Sequence, residues 1–285
     1  TLTWETSEQI DLGADFRFLS DRLSVGIDWY NKITKDLLVS APAMPESGVT
    51  SITKNAGEIE NTGLEIELSW KDNIGDFSYG ISGNFSTLKN QVLELPEGTT
   101  PTYRTDASSS NYVVQTVFEA GYPVYYMRGY EYGGVDAKEV NGHKVVDYIV
   151  DYTDDGKIDT SDMVMIGQTT PKVTFGLNLN LAWKGLDFMV FGSGVSGNSI
   201  MPVLHRTGFK NHLKVYMDKY QSGEYPHPKE THGNYKFYSS SANVFKGDYF
   251  RIKQMQLGYT IPSKITKKAQ ISDLRFYVSL DDFIT

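Results

Sequence analysis

Along most of this chain apolar and polar residues alternate one by one. In "GLEIELSW", residues 63–70, Leu64, Ile66, Leu68 and Trp70 fall on one side and Glu65, Glu67 and Ser69 on the other. A period of two is the mark of a β-strand with one apolar face. "KVTFGLNLNLAWK", residues 172–184, repeats it: Val173, Phe175, Leu177, Leu179, Leu181 and Trp183 alternate with Thr174, Gly176, Asn178, Asn180 and the neutral Ala182. Similar stripes run through Leu23, Val25, Ile27 and Trp29, through Phe77, Tyr79, Ile81 and Phe85, and through Leu274, Phe276, Val278 and Leu280. Helical spacing is confined to "NHLKVYMDKYQ", residues 211–221, where Leu213, Tyr216, Met217 and Tyr220 predict one short helix. The fold class is all-β, with about eight strong strands.

The connections are of two kinds. Tight turns sit in "LSDRL", "KDNIGD" and "KG", whereas the polar stretches 32–57, 89–170 and 196–246 read as long loops. Short turns alternating with long loops are what an antiparallel outer-membrane barrel produces, with turns on the periplasmic side and loops outside. Strands of about ten residues suit the roughly 9–11 that cross a bilayer at a tilt. Trp29, Tyr30, Trp70 and Trp183 fall at predicted strand ends, where an aromatic girdle would meet the headgroups. On periodicity alone a soluble antiparallel β-sandwich competes, its aromatics closing a core; it would be a carbohydrate-binding or adhesin-type module with a structural calcium loop. The two differ in whether the stripe from Val173 to Leu181 faces lipid or an inner core.

Composition narrows the partners. The 285 residues include 40% hydrophobic ones, enough to bury a core, and no cysteine, which excludes disulfides and thiolate metal sites. With 35 acidic against 27 scattered basic residues, the footprint of a nucleic-acid binder is missing. No run approaches the roughly 18 apolar residues of a membrane-spanning helix, which leaves barrel strands possible. The chain starts at Thr1 without a signal peptide, so a mature or truncated piece of a longer polypeptide is expected.

Several stretches resemble, in order, the late-barrel region of SusC-like TonB-dependent transporters, the outer-membrane nutrient importers of Bacteroidetes. They are "WETSEQIDLGADFRFLSDRLSVGIDWYNKITKDLL" (4–38), "NAGEIENTGLEIELSW" (55–70), "DYTDDGKIDTSDMVMIGQTTPKVTFGLNLNLAWKGLDFMVFGSGVSG" (151–197), "YFRIKQMQLGYTIPSKI" (249–265) and "LRFYVSLDDFIT" (274–285). The resemblance implies that residues 1–285 are the C-terminal part of a barrel of about 22 strands, with no plug domain within this chain. It also implies import of an oligosaccharide or peptide, a SusD-like surface lipoprotein as partner, the TonB complex as energy source through segments outside the chain, and outer-membrane lipid around the wall. Asn178, Asn180 and Lys184 are then expected to face the lumen. The loops 89–170 and 196–246 would meet the lipoprotein and the substrate.

One segment carries its own chemistry. In "DYTDDGKIDTSD", residues 151–162, Asp151, Thr153, Asp155, Lys157, Asp159 and Asp162 occupy positions 1, 3, 5, 7, 9 and 12 of a twelve-residue calcium loop, with Gly156 at the sharp turn. Side-chain oxygens at 1, 3 and 5, the Lys157 carbonyl and residue 12 would surround Ca2+. The neutral hydroxyl of Thr153 and the short Asp162 weaken the site or shift it toward Mg2+, and a solvated acidic turn is the plainer alternative. "GSGVSG", residues 192–197, fits a dinucleotide fingerprint, but no helix pattern follows it. His143, His205, His212, His227 and His232 form no H-x-x-x-H pair. No paired carboxylates stand out for catalysis, so the chain is not read as an enzyme. Tyr122, Tyr125, Tyr126, Tyr130 and Tyr132 are candidate contact aromatics for a sugar or a protein.

Overall fold

The computed structural model describes residues 2–43, 48–97, 102–104, 115–201, 214–227 and 235–284. Its frame is one twisted antiparallel wall. β1 (Thr6–Phe18), β2 (Leu23–Pro42), β3 (Ser51–Ile74) and β4 (Phe77–Thr87) follow one another, and β5 (Lys89–Glu94) pairs with the upper part of β3. Three small strands, β6 (Thr102–Arg104), β7 (Gln115–Phe118) and β8 (Tyr126–Gly129), form a second sheet with β12 (Val164–Gly167). β9 (Glu139–Val140), β10 (His143–Val146) and β11 (Ile149–Asp151) form a third. The chain then returns to the wall as β13 (Val173–Trp183) and β14 (Leu186–Ser196). β15 (Ser199–Ile200) pairs with β16 (Phe245–Lys246), and β17 (Tyr249–Thr260) and β18 (Arg275–Ile284) complete the wall order β1-β2-β3-β4-β13-β14-β17-β18.

Every neighbour in the wall is antiparallel, and β4 pairs with β13 although the excursion 88–172 separates them. The turns on one side are tight and run through left-handed backbone. Lys184 and Gly185 have φ of 48° and 89°, the two-residue hairpin geometry that matches strand twist. Leu19, Ser20 and Asp21 (φ 56°, 57° and 63°) close β1 onto β2.

Register sorts the side chains cleanly. Phe85, Phe175 and Ile66 share one row, Ile81, Leu179, Val190, Met255 and Leu280 another, and Leu181, Phe188, Leu257 and Val278 a third, all on one face. That face is uncovered: Leu177 is 48% exposed, Trp183 51% and Val278 68%. Apart from Ala41 and Val92 at the upper rim, the buried apolar residues lie elsewhere, for example Val117, Tyr130, Ile149, Val150 and Phe237, all in the excursions. A sandwich would place its core on the wall, so the uncovered stripe decides for a lipid-facing barrel wall. Eleven residues at about 3.3 Å each, tilted by roughly 40°, give β13 a height of about 28 Å, enough to cross the roughly 25 Å apolar band of an outer-membrane barrel.

Several expectations change. The stretch 32–57 is not a loop: β2 and β3 run on to Pro42 and back from Ser51. Trp29 therefore lies within β2 rather than at its end. It still marks a boundary, because above it the outward face turns polar, with Asn31 donating to Glu60 at 2.7 Å and Lys35 paired to Glu8 at 2.7 Å. α1 (Lys214–Gln221) is the predicted short helix, with Tyr216 buried; Leu213 lies outside the described residues.

Candidate functional site

The wall's second face is polar and carries two shallow concavities. The upper one, ≈ 340 Å³, is lined by Asp15, Glu67, Ser69, Asn84 and Asn178. Register explains it: Glu67 pairs with Asn84, Ser69 with Ser82, and Ser82 with Asn178, so alternate residues of β3, β4 and β13 converge on one side. Glycine keeps this face open. At Gly13 and Gly176 any side chain would run into the Asp28 and Asn84 carboxylate and amide oxygens. Asn178 Oδ1 is buried and has no hydrogen-bond partner among the described residues, an open acceptor on the polar face.

The lower concavity, ≈ 930 Å³, includes Lys71, Asn180, Asp187, Gln256 and Arg275. The Arg275 guanidinium grips the Asp187 carboxylate with two N–H groups, its Nε lying 3.1 Å from Oδ1 and its Nη2 bonding Oδ2. On the intervening strand β17 stands Gly258, the register partner of Asp187 and diagonal to Arg275, where a Cβ would collide with both partners. Asn178 and Asn180 thus sit on the polar face as expected. Lys184 does not: β13 ends at Trp183, so Lys184 falls in the two-residue β13–β14 turn and reaches Asp76 of the neighbouring turn at 3.6 Å. Asp187 and Arg275 were missed. Gly258 within an apolar strand was the available signal of a close approach, but a partner 88 residues away is not visible in sequence.

Above the wall, the excursions knit together. Tyr130 N–H bonds Ser239 O and Ser241 N–H bonds Tyr130 O, joining residues on both long excursions, and Tyr132 OH donates to Glu224 O at 2.7 Å. Tyr132, Tyr225 and Phe237 pack edge to face. The loop tyrosines are consequently structural: Tyr126 and Tyr130 are buried, Tyr132 and Tyr125 half-buried, and only Tyr122 of the five is exposed. Burial and the Glu119 carboxylate hold the Tyr126 hydroxyl in its neutral form, and burial with Glu131 pushes Tyr152 up to about 12.

The aspartate loop 151–162 is folded on itself. Asp151 and Asp162 are fully buried, and the Thr153 hydroxyl lies 3.1 Å from Asp151 Oδ1 and 3.0 Å from Asp162 Oδ1. Asp151 also accepts from Gly156 N–H at 2.8 Å; Asp162 accepts from the N–H groups of Thr153 (3.0 Å) and Asp159 (2.9 Å). Positions 1, 3 and 12 therefore converge. Asp155 and Asp159 instead accept from Lys157 and Ser161 N–H, and among the described residues no three His, Cys, Asp or Glu side chains stand in a ligating group. Burial raises the Asp151 carboxyl, but the donors from Gly156, Thr153, Asp154 and Asp155 outweigh it and leave it low. Ser161 lowers Asp159. Lys236 donates to Ile158 O at 2.7 Å, tying the loop to the second excursion. His143 is engaged by Asp154 at 3.1 Å; His205, His212 and His232 lie outside the described residues. The "GSGVSG" glycines serve packing: Gly192 and Gly194 make room for the stacked rings of Phe250 and Phe175.

The sequence family described as "TonB dependent receptor-like, beta-barrel" matches residues 1–278. The chain belongs to this family. As a TonB-dependent receptor barrel it lies in the outer membrane, and its uncovered stripe is the lipid face. TonB-dependent receptor P3 of Formosa agariphila is 28% identical over 304 residues, spanning 100% of this chain and 30% of the relative. TonB-dependent receptor SusC of Bacteroides thetaiotaomicron is 28% identical over 193 residues, 66% of this chain and 19% of the relative. Among solved structures, the RagAB peptide importer in its open-open state superposes with a TM-score of 0.75 at 21% identity, over 99% of this chain and 31% of that chain, a likeness of fold. The chain spans about three-tenths of the length of the curated relatives P3 and P26. Its eight-strand wall is accordingly an unclosed part of a barrel. These relatives are receptors rather than enzymes.

Proposed function

We propose that the complete protein imports a nutrient, an oligosaccharide or a peptide, through the outer membrane, acting with a SusD-like surface lipoprotein and drawing energy from the TonB complex. The observation that carries this reading is the wall's division into a lipid face and a concave polar face beneath a knitted extracellular platform. A lumen lined by Asn178, Asn180, Gln256 and the Asp187–Arg275 pair offers donors and acceptors of both signs, suited to hydroxyl-rich or amide-rich cargo and unsuited to an apolar one. The likeness to the RagAB peptide importer supports a peptide cargo, and the polar lining suits an oligosaccharide as well. The test is affinity purification of the full-length protein from outer membranes, followed by growth of a deletion strain on oligosaccharides or peptides as sole source. Absence of a lipoprotein partner together with unchanged growth on every source overturns the reading.

The loop 151–162 is proposed to take Ca2+ or Mg2+ and so fix the platform. Two buried carboxylates share one Thr153 hydroxyl, which has a single proton to give, so negative charge remains for a cation to neutralise. Asp151, Thr153 and Asp162 would hold it.

A further inference from the structure

The wall parts at its upper rim. β4 bridges β3 and β13 up to Thr87, and Leu88 N–H adds one last bond to Lys172 O (2.8 Å); beyond it β5 stays with β3, while the segment before Lys172 stays with the β14 side through Lys172 N–H to Ser196 O (3.0 Å) and Ser199 N–H to Gln168 O (2.7 Å). The parting leaves a cleft of ≈ 900 Å³ whose walls include Trp29, Leu64, Val173, Met165 and Tyr122. Trp29 and Leu64 are register partners on the lipid face, and Thr62 and its partner Lys89 share that face two positions higher. The cleft therefore opens outward, continuous with the lipid-facing stripe, at the level where the outward face turns from apolar to polar. An apolar cavity opening into hydrocarbon is filled by chains rather than water. At its upper edge Lys89 is exposed and carries no ion pair among the described residues, and Glu60, the nearest acid in register on that face, is engaged by Asn31.

We propose that this cleft holds an acyl chain of lipid A, the phosphorylated glycolipid of the outer leaflet, with a phosphate at Lys89. The long excursions mark this rim as the outer side, an anionic headgroup complements the unpaired ammonium, and the indole of Trp29 suits the boundary between chain and headgroup.

Two measurements test it on the full-length protein purified from outer membranes in mild detergent. Native mass spectrometry reads retained lipid A in wild type, Lys89→Glu, Lys89→Arg and Met165→Asp; retention is expected to fall about tenfold in Lys89→Glu and Met165→Asp and to persist in Lys89→Arg. Lipid A with brominated chains, added to delipidated wild type, is expected to quench emission that Trp29→Phe lacks, a reading independent of the folding of the other variants. Equal retention in all proteins, equal competition by phosphatidylglycerol, or no Trp29-dependent quenching overturns the assignment. So does a second copy of the chain seated at the cleft, seen as a dimer that Met165→Asp dissociates without any change in lipid.

Discussion

Thr87 takes over the backbone of Leu64: its Oγ1 accepts from the Leu64 N–H at 2.9 Å and lies 3.4 Å from the Leu64 carbonyl, where its proton is directed. At this point β3 changes partner from β4 to β5, and a side chain stands in for the missing ladder bonds. Gly63 next to it admits the Thr87 carbonyl because it has no Cβ. Replacing Thr87 with Val keeps the shape and removes both bonds. The expected cost is about 1 kcal/mol, read as a lowered unfolding midpoint of the full-length barrel in detergent; no change would assign the fork to backbone alone.

The two faces of the wall predict opposite tolerances. Leu177→Arg, on the lipid face in the middle of β13, is expected to cost about 2–4 kcal/mol. Asn178→Arg, one residue on and facing the lumen, should leave stability nearly unchanged. Urea titration of refolding into liposomes separates them.

Gly258→Val should disrupt the Asp187–Arg275 pair by steric entry rather than by charge. Overpacking of this kind costs about 1–3 kcal/mol, more than Arg275→Met, since a half-exposed ion pair contributes about 0–1 kcal/mol. Thermal unfolding of the two variants ranks them, and the reverse order would show the charge pair to dominate.

In the aspartate loop, Asp162→Ala removes the acceptor of the Thr153 and Asp159 N–H groups and is expected to expose residues 151–162 to protease, at a local cost of about 1–3 kcal/mol. Asp155→Ala should do far less. Millimolar Ca2+ or Mg2+ is expected to slow hydrogen exchange of the loop in wild type and not in Asp151→Ala; identical exchange in both would return the loop to hydrogen bonding alone.

The same loop responds to acid. Asp151 and Asp159 lie below the ordinary 3.8 in the folded protein, so they contribute stability that is fully present above that value and is lost as pH falls through their lowered folded values. Protease sensitivity of the platform should therefore rise only in strong acid and stay flat from about pH 5 to 8.

The strands, their two faces and the tight turns were legible because period-two alternation and left-handed turn residues are local properties. The membrane reading was suggested by turns and loops of unequal length, and the uncovered stripe decided it against a sandwich. The short helix was visible for the same reason, and so was the spacing of residues 151–162.

Other features required the assembled chain. Strands 2 and 3 outrun the bilayer because Asn31–Glu60 and Lys35–Glu8 satisfy their polar upper faces across strands. Of the loop tyrosines that look like binding surface in sequence, Tyr126 and Tyr130 prove to be core, since aromatic composition says nothing of what packs on it. Asp187 finds Arg275, and Lys184 falls in the turn, through register. Local sequence determined which residues share a face; only tertiary pairing decided which faces meet, because contacts between strands 85 residues apart depend on chain closure rather than on neighbouring side chains.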